Sequence, residues 1–182
     1  MTTAREAATV MQAAECLYSR QQVDTAIDNI ASAINTDYEG LSPVVLCVMN
    51  GGVVLAGHLL TRLSAVLEFD YLHATRYRGE TSGGELVWKH HHEIALNGRD
   101  VLVLDDILDY GETLRAIRDA CLREGAGSFR SAVLVRKIHD QPQGIKADYI
   151  GLEVPDRYVF GYGMDYKGFL RNAPGIYAVR ER

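Results

Sequence analysis

The stretch "VLVLDDILDYGET", residues 101–113, sets three carboxylates (Asp105, Asp106, Asp109) between a run of aliphatic residues and a glycine, Gly111, that opens a helical pattern. Four aliphatics in a row read as a buried strand. Neighbouring strand residues point to opposite faces, so Asp105 and Asp106 can share a target only if the strand has ended between them, and the pair is expected to mark the strand's exit into a loop. A carboxylate pair is an acceptor set suited to two adjacent hydroxyls of a sugar or to an oxygen-coordinated Mg²⁺. Tyr110, Gly111, Glu112 and Thr113 fall at the helix start, where free backbone N–H groups and the helix dipole favour a phosphate. Gly111 lets the backbone approach closely and Thr113 offers a hydroxyl. Hydroxyl acceptors on one side and a phosphate cradle on the other describe a site for a ribose 5-phosphate. The plainer alternative makes Asp105 and Asp106 solvated loop acids and Asp109 a helix N-cap.

The elements that must hold these groups follow from the apolar pattern. Residues 4–36 carry apolar positions at helical spacing (Val10, Met11, Ala14, Leu17, then Val23, Ile27, Ile30, Ile34) without proline, which predicts two helices or one bent helix. "PVVLCVMNGG" is a short strand closed by Asn50, Gly51 and Gly52, and "VVLAGHLLTRL" after it is helical. "LEFDYLHATRY" and "ELVWKH" read as strands joined by the polar "RGETSGG", either a hairpin connection or a mobile lid. "RDVLVLDDILDYGETLRAIRDACLREGAG" repeats the strand, loop and helix, and "FRSAVLVRK" and "ADYIGLEV" are further strands. Nearly all-apolar strands alternating with helices predict an α/β fold with a mainly parallel sheet covered on both faces, where ligands bind beyond the carboxyl ends of the strands. The last thirty residues, with glycines among aromatics, read as an irregular cap. "KHHH" at 89–92 is expected to be a solvated strand end, because three consecutive histidines cannot all face one ion.

At 182 residues the chain fits one domain able to bury its own core. Its three cysteines (Cys16, Cys47, Cys121) are odd in number and lack a Cys-x-x-Cys pair, which predicts free thiols in a reducing compartment rather than structural zinc. No apolar run approaches a membrane span and the N-terminus lacks the pattern of a signal peptide, so a cytoplasmic location is expected. The net charge of −5 argues against broad nucleic-acid binding, which draws on clustered Lys and Arg. Small phosphorylated ligands, which need only a few local donors, remain compatible with it.

"VLVLDDILDYGETL" resembles the phosphoribosyl pyrophosphate signature of type I phosphoribosyltransferases. "ADYIGLEVPDRYVFGYGMDYKGFLRNAPGIYAV" is similar to the corresponding region of the hypoxanthine-guanine branch, and the order of elements from 43 to 179 agrees. The resemblance implies a type I phosphoribosyltransferase fold over residues 1–182, with a core at about 37–154, a flexible lid loop at about 75–89, and a small C-terminal hood from about 155 joined by part of the N-terminal segment. It implies that Asp105 and Asp106 bind the ribose hydroxyls, that Asp109 is the general base at the purine N7, and that the loop with Tyr110, Gly111 and Thr113 holds the 5-phosphate. Tyr110 stands where a small hydroxyl residue is frequent, and Glu112 is expected to point away from the phosphate. The "MNGG" turn with Asn50 and Gly51 corresponds to the pyrophosphate loop; many relatives have a basic residue at Asn50, so Arg171 is implied as the pyrophosphate arginine, with Tyr77 reaching in from the lid. Lys137 corresponds to the lysine on the exocyclic oxygen of a 6-oxopurine, Tyr158 to the aromatic that stacks on the base, and Val159 to the residue offering backbone groups to its edge. Asp165, with Asp105 and Asp106, is implied in holding Mg²⁺. The substrates implied are a 6-oxopurine base and phosphoribosyl pyrophosphate, and the assembly a homodimer or homotetramer.

Two other functions use similar residues. A regulator can bind phosphoribosyl pyrophosphate without chemistry, but need not retain Asp109, Lys137 and the lid. A phosphoacceptor receiver domain would place an acidic pair after its first strand, where this chain has Met49 and Asn50.

Overall fold

The structure is a computed structural model that describes residues 3–76, 86–140 and 144–180. Along the chain run α1 (Ala4–Ala13), β1 (Glu15–Ser19), α2 (Arg20–Asp37), β2 (Val44–Val48), α3 (Gly52–Leu60), β3 (Glu68–Arg76), β4 (Leu86–His90), β5 (Asp100–Leu108), α4 (Glu112–Arg123), β6 (Ser128–Ile138), β7 (Tyr149–Pro155), β8 (Val159–Phe160) and β9 (Gly175–Ala178). Six strands form one sheet in the order β4-β3-β2-β5-β6-β7, parallel throughout except for β4, which pairs antiparallel with β3 at the edge. This is the mainly parallel α/β sheet expected. The ends of β3 and β4 frame residues 77–85, so Tyr77 and most of the expected lid lie outside the described residues.

The period-2 alternation of the central strands divides the core in two. Val45, Cys47, Leu102 and Leu104 pack with Ile27, Ile30 and Ile34 of α2 and Leu55 and Leu59 of α3 on one face. Val44, Leu46, Val101 and Val103 pack with Leu114, Ile117 and Cys121 of α4 on the other. Both faces being covered explains why these strands read as unbroken apolar runs. Among the described residues no helix is long and apolar enough to cross a membrane.

Three expectations are corrected. The N-terminal pattern is not helix alone: β1 interrupts it, pairing antiparallel with β9 (Glu15↔Ala178 through Ser19↔Gly175). Ser19 then starts α2 with a reciprocal capping box to Gln22. The C-terminal cap is likewise not wholly irregular, because β8 and β9 join β1 in a three-stranded sheet, and α1 packs there through Ala7 against Phe160, Tyr166 and Ala173.

The third correction concerns the acidic stretch. The strand does not leave the sheet between Asp105 and Asp106 but runs on to Leu108. The two neighbours of β5 have different lengths: pairing with β2 stops at Leu104, whereas β6 stays in register through Asp105↔Val133, Ile107↔Val135 and Leu108↔Arg136. The site therefore opens on the β2 side while the other edge stays zipped. Asp105 Oδ1 accepts a hydrogen bond from the backbone N–H of Asp106 at 2.9 Å, a local contact that turns the two carboxyl groups toward each other.

Candidate functional site

The turn after β2 lies against the acid pair. A Cβ on Gly51 would come within 1.8 Å of Asp106 Oδ2, so only glycine lets the turn pack on that carboxylate. A Cβ on Gly163 would meet the Gly51 carbonyl oxygen at 2.1 Å, which brings the segment carrying Asp165 to the same place. Arg171 donates to the Gly163 carbonyl at 2.6 Å and pairs with Asp165 Oδ1 at 2.7 Å, and Asp165 Oδ2 accepts from the Gly168 N–H at 2.6 Å. Asn50, Gly51, Asp106, Asp165 and Arg171, spread over 122 residues of sequence, are thus carried by segments that pack together at the end of β2.

Burial raises the Asp105 carboxyl well above the usual carboxylate range, and the neighbouring Asp106 charge raises it further. Burial raises Asp106 as well, opposed by its bond to Asp105 and by the Arg171 charge. Two desolvated carboxyl groups in contact disfavour double ionisation, and an oxygen-only donor set with that unmet demand for positive charge fits a hard divalent cation. Asp105 and Asp106 are therefore chemically suited to hold Mg²⁺, with Asp165 on the segment that packs against the neighbouring turn.

Beneath the pair, Cys47 packs against Gly52, and burial together with the Asp105 and Asp106 charges pushes its thiol up to about 12. Burial and Glu124 push Cys121 up to about 11, whereas Cys16 is exposed. Alkylation of the native protein by iodoacetamide at mildly alkaline pH is expected to label Cys16 and spare the other two, as read by peptide mass spectrometry. Labelling of Cys47 in folded protein would contradict the packing of this turn.

The phosphate cradle follows β5. Gly111 caps α4 with φ of +82° and no side-chain capping bond. A side chain there would be strained and would meet Ile145 Cγ2 at 2.7 Å. Thr113 stands in the first helical turn, and the Tyr110 carbonyl accepts from the Gly144 N–H at 3.2 Å. Asp109 is not the N-cap of this helix.

Asp109 instead faces a cluster at the ends of β6 and β7. Its Oδ1 lies 2.6 Å from His139 Nε2 and its Oδ2 lies 3.5 Å from Lys137 Nζ. The Lys137 side chain is only 15 % exposed, so it is not the solvated charge that a lone lysine after a strand usually is. Tyr158 is 49 % exposed, with its ring edge-on to Tyr166 and its hydroxyl 3.3 Å from the Lys167 N–H, so it serves no core. Val159 is buried in β8 opposite Ala178. The KHHH run does not converge: His90 stacks on Tyr71, His91 stacks on Trp88, and His92 departs from the solvated expectation by pairing with Glu124 at 3.1 Å.

Two residues of the cluster, His139 and Asp156, went unread in the sequence. His139 has the same strand parity as Lys137, which was a usable signal; Asp156 follows a different strand and carried none. The same cluster accounts for Tyr110, whose ring stacks on His139 with centroids 4.2 Å apart and planes at 14°. A small hydroxyl residue could not cover that imidazole.

A phosphoribosyl transferase domain model matches residues 14–167. The chain is 31 % identical over 166 residues, 91 % of its length and 92 % of the relative's, to a hypoxanthine-guanine phosphoribosyltransferase of Streptococcus thermophilus. Its fold superposes on the crystal structure of a hypoxanthine phosphoribosyltransferase from Staphylococcus aureus with a TM-score of 0.88 at 26 % identity, covering 94 % of this chain and 95 % of that one. A hypoxanthine-guanine phosphoribosyltransferase from Bacillus anthracis gives a TM-score of 0.83 at 26 % identity over 91 % and 97 % of the two chains. With the acid pair, glycine turn and phosphate-ready helix start in place, these matches establish that the chain belongs to the phosphoribosyl transferase domain family.

Proposed function

We propose that the protein is a purine-salvage enzyme that transfers the 5-phosphoribosyl group of phosphoribosyl pyrophosphate to hypoxanthine or guanine, giving IMP or GMP and pyrophosphate. The observation that carries the base assignment is the pairing of Lys137 and Asp109: a cationic donor 3.5 Å from a carboxylate acceptor, with Lys137 also 3.5 Å from Asp156, two residues before the exposed Tyr158. A 6-oxopurine presents an acceptor, O6, next to a donor, N7–H, and matches that pair; adenine presents an amino group toward the lysine and does not.

In the reaction the purine N9 forms the bond to the anomeric carbon as the bond to pyrophosphate breaks and its electron pair leaves with the pyrophosphate. Asp109 takes the proton from N7, Lys137 donates to O6, and Tyr158 and Val159 fix the ring and its edge. Asp105 and Asp106 orient the ribose hydroxyls, and the backbone of residues 110–113 with the Thr113 hydroxyl holds the 5-phosphate. Asn50, Gly51 and Arg171 face the pyrophosphate, with Tyr77 assigned to the closing loop. Asp105, Asp106 and Asp165 would hold Mg²⁺, which when bound would stabilise the charge of the departing pyrophosphate. The chain acts as a cytoplasmic enzyme, consistent with its free cysteines, and as a homodimer or homotetramer, for which Phe69, Tyr71 and Val87 offer an exposed apolar edge on β3 and β4.

Incubation with Mg²⁺, phosphoribosyl pyrophosphate and, in turn, hypoxanthine, guanine, xanthine, adenine and uracil tests the reading, with nucleotide followed by chromatography. IMP and GMP are expected, with neither AMP nor UMP. No nucleotide from any base would replace the enzyme with a sensor of phosphoribosyl pyrophosphate.

A further inference from the structure

Asp109, His139 and Asp156 are the residues that immediately follow β5, β6 and β7, three adjacent strands, and with Lys137 they close a ring of charges. His139 Nε2 lies 2.6 Å from Asp109 Oδ1, and its Nδ1 lies 3.0 Å from Asp156 Oδ2. Lys137 Nζ spans the remaining oxygens, 3.5 Å from Asp109 Oδ2 and 3.5 Å from Asp156 Oδ1. The His139 side chain is 3 % exposed, with the Tyr110 ring over one face. Its Nδ1 contact lies off the line of a full hydrogen bond, while the Nε2 contact is short. A carboxylate oxygen thus stands at each ring nitrogen. Against a desolvation that pushes the other way, the contacts with His139 and Lys137 hold the Asp156 carboxyl below its ordinary value.

The contacts of Asp109 with Lys137 and with His139 differ in kind. The distance to Lys137 exceeds an ordinary hydrogen bond, so that lysine can swing to the O6 of an incoming purine. The short contact to His139 stays and aims Oδ2 at the N7 proton. Resting on the phosphoribosyl-transfer reading above, we propose that His139, clamped by Asp156 and covered by Tyr110, is the positioning residue of the proton-transfer step, fixing the carboxylate of Asp109 toward the N7 proton. Among the described residues, the groups around His139 are Asp109 and Tyr110 from the β5–α4 turn, Lys137 from β6 and Asp156 after β7.

The test compares wild type with His139→Leu, His139→Gln and Asp156→Asn, measuring kcat and KM for both substrates. Loss of the imidazole is expected to lower kcat about tenfold or more, with KM for phosphoribosyl pyrophosphate unchanged. His139→Gln, which keeps one N–H donor, should recover part of kcat. Asp156→Asn, on a half-exposed side chain, should lower kcat in the same way by less, and it carries the test if His139→Leu fails to fold. Folded variants with unchanged kcat, or with kcat and KM for phosphoribosyl pyrophosphate worsening together, would overturn this inference alone; absence of nucleotide with the wild type would overturn the enzyme reading and this inference together.

Discussion

Replacing Asp109 with asparagine is expected to lower turnover by about 10²–10⁴-fold, the usual contribution of a positioned base. Asparagine keeps the size and planarity of the side chain and can still meet Lys137 or His139, but it cannot take a proton from N7. A residue held 2.6 Å from a buried imidazole and 3.5 Å from a buried lysine is oriented before substrate arrives, so the loss should fall on the transition state. Accordingly kcat and kcat/KM should drop together, with KM for phosphoribosyl pyrophosphate little changed. Steady-state kinetics of nucleotide formation checks this. A fall of less than about tenfold would remove Asp109 from the role of base.

Gly51→Ala is expected to reduce kcat/KM for phosphoribosyl pyrophosphate about a hundredfold, because misplacing reacting groups by about 1 Å costs on that order. The backbone there has φ −65° and ψ −46°, comfortable for alanine, so the damage cannot come from strain in the turn. It comes from the added methyl carbon, which would stand 1.8 Å from Asp106 Oδ2 and 2.3 Å from its Cγ. Asp106 is 9 % exposed and has little room to retreat, so either the carboxylate or the pyrophosphate turn must shift. Kinetics together with a melting curve separate this from unfolding, since the variant should still melt cooperatively. Activity within threefold of wild type would mean that the packing of the turn on Asp106 does not shape the site.

How far the sequence could be read depended on whether the signal was local. The six strands of the main sheet and the helices between them announced themselves, the central strands most clearly because burial on both faces makes each an apolar run. β1 did not: "ECLYS" is five residues long and its partner β9 begins 160 residues after it starts, so only tertiary pairing makes it a strand. The end of β5 was misjudged for a related reason, since its continuation past Asp105 is imposed by the length of β6 rather than by anything in "DDILDY". At the site, Asp105, Asp106, Asp109 and Gly111 were visible as one dense motif, and the positions of Asn50, Lys137, Tyr158 and Asp165 through family resemblance. The ring through His139 and Asp156 was not visible, because three separate strand ends must come into register before those side chains meet. Tyr110 looked anomalous until its partner His139 was in view.

In the proposed reaction the three acids at the end of β5 divide the labour, Asp105 and Asp106 gripping the ribose and Asp109, just past the strand, moving a proton. Calorimetric binding of phosphoribosyl pyrophosphate with Mg²⁺ to the wild type, to Asp109→Asn and to the double variant Asp105→Asn/Asp106→Asn tests it most directly. The account predicts that Asp109→Asn binds about as tightly as the wild type, whereas the double variant loses about 1.5–3 kcal/mol or more, roughly tenfold at the least, as charged hydrogen bonds are removed. Equal loss of binding in both variants, or none in the double variant, would contradict it.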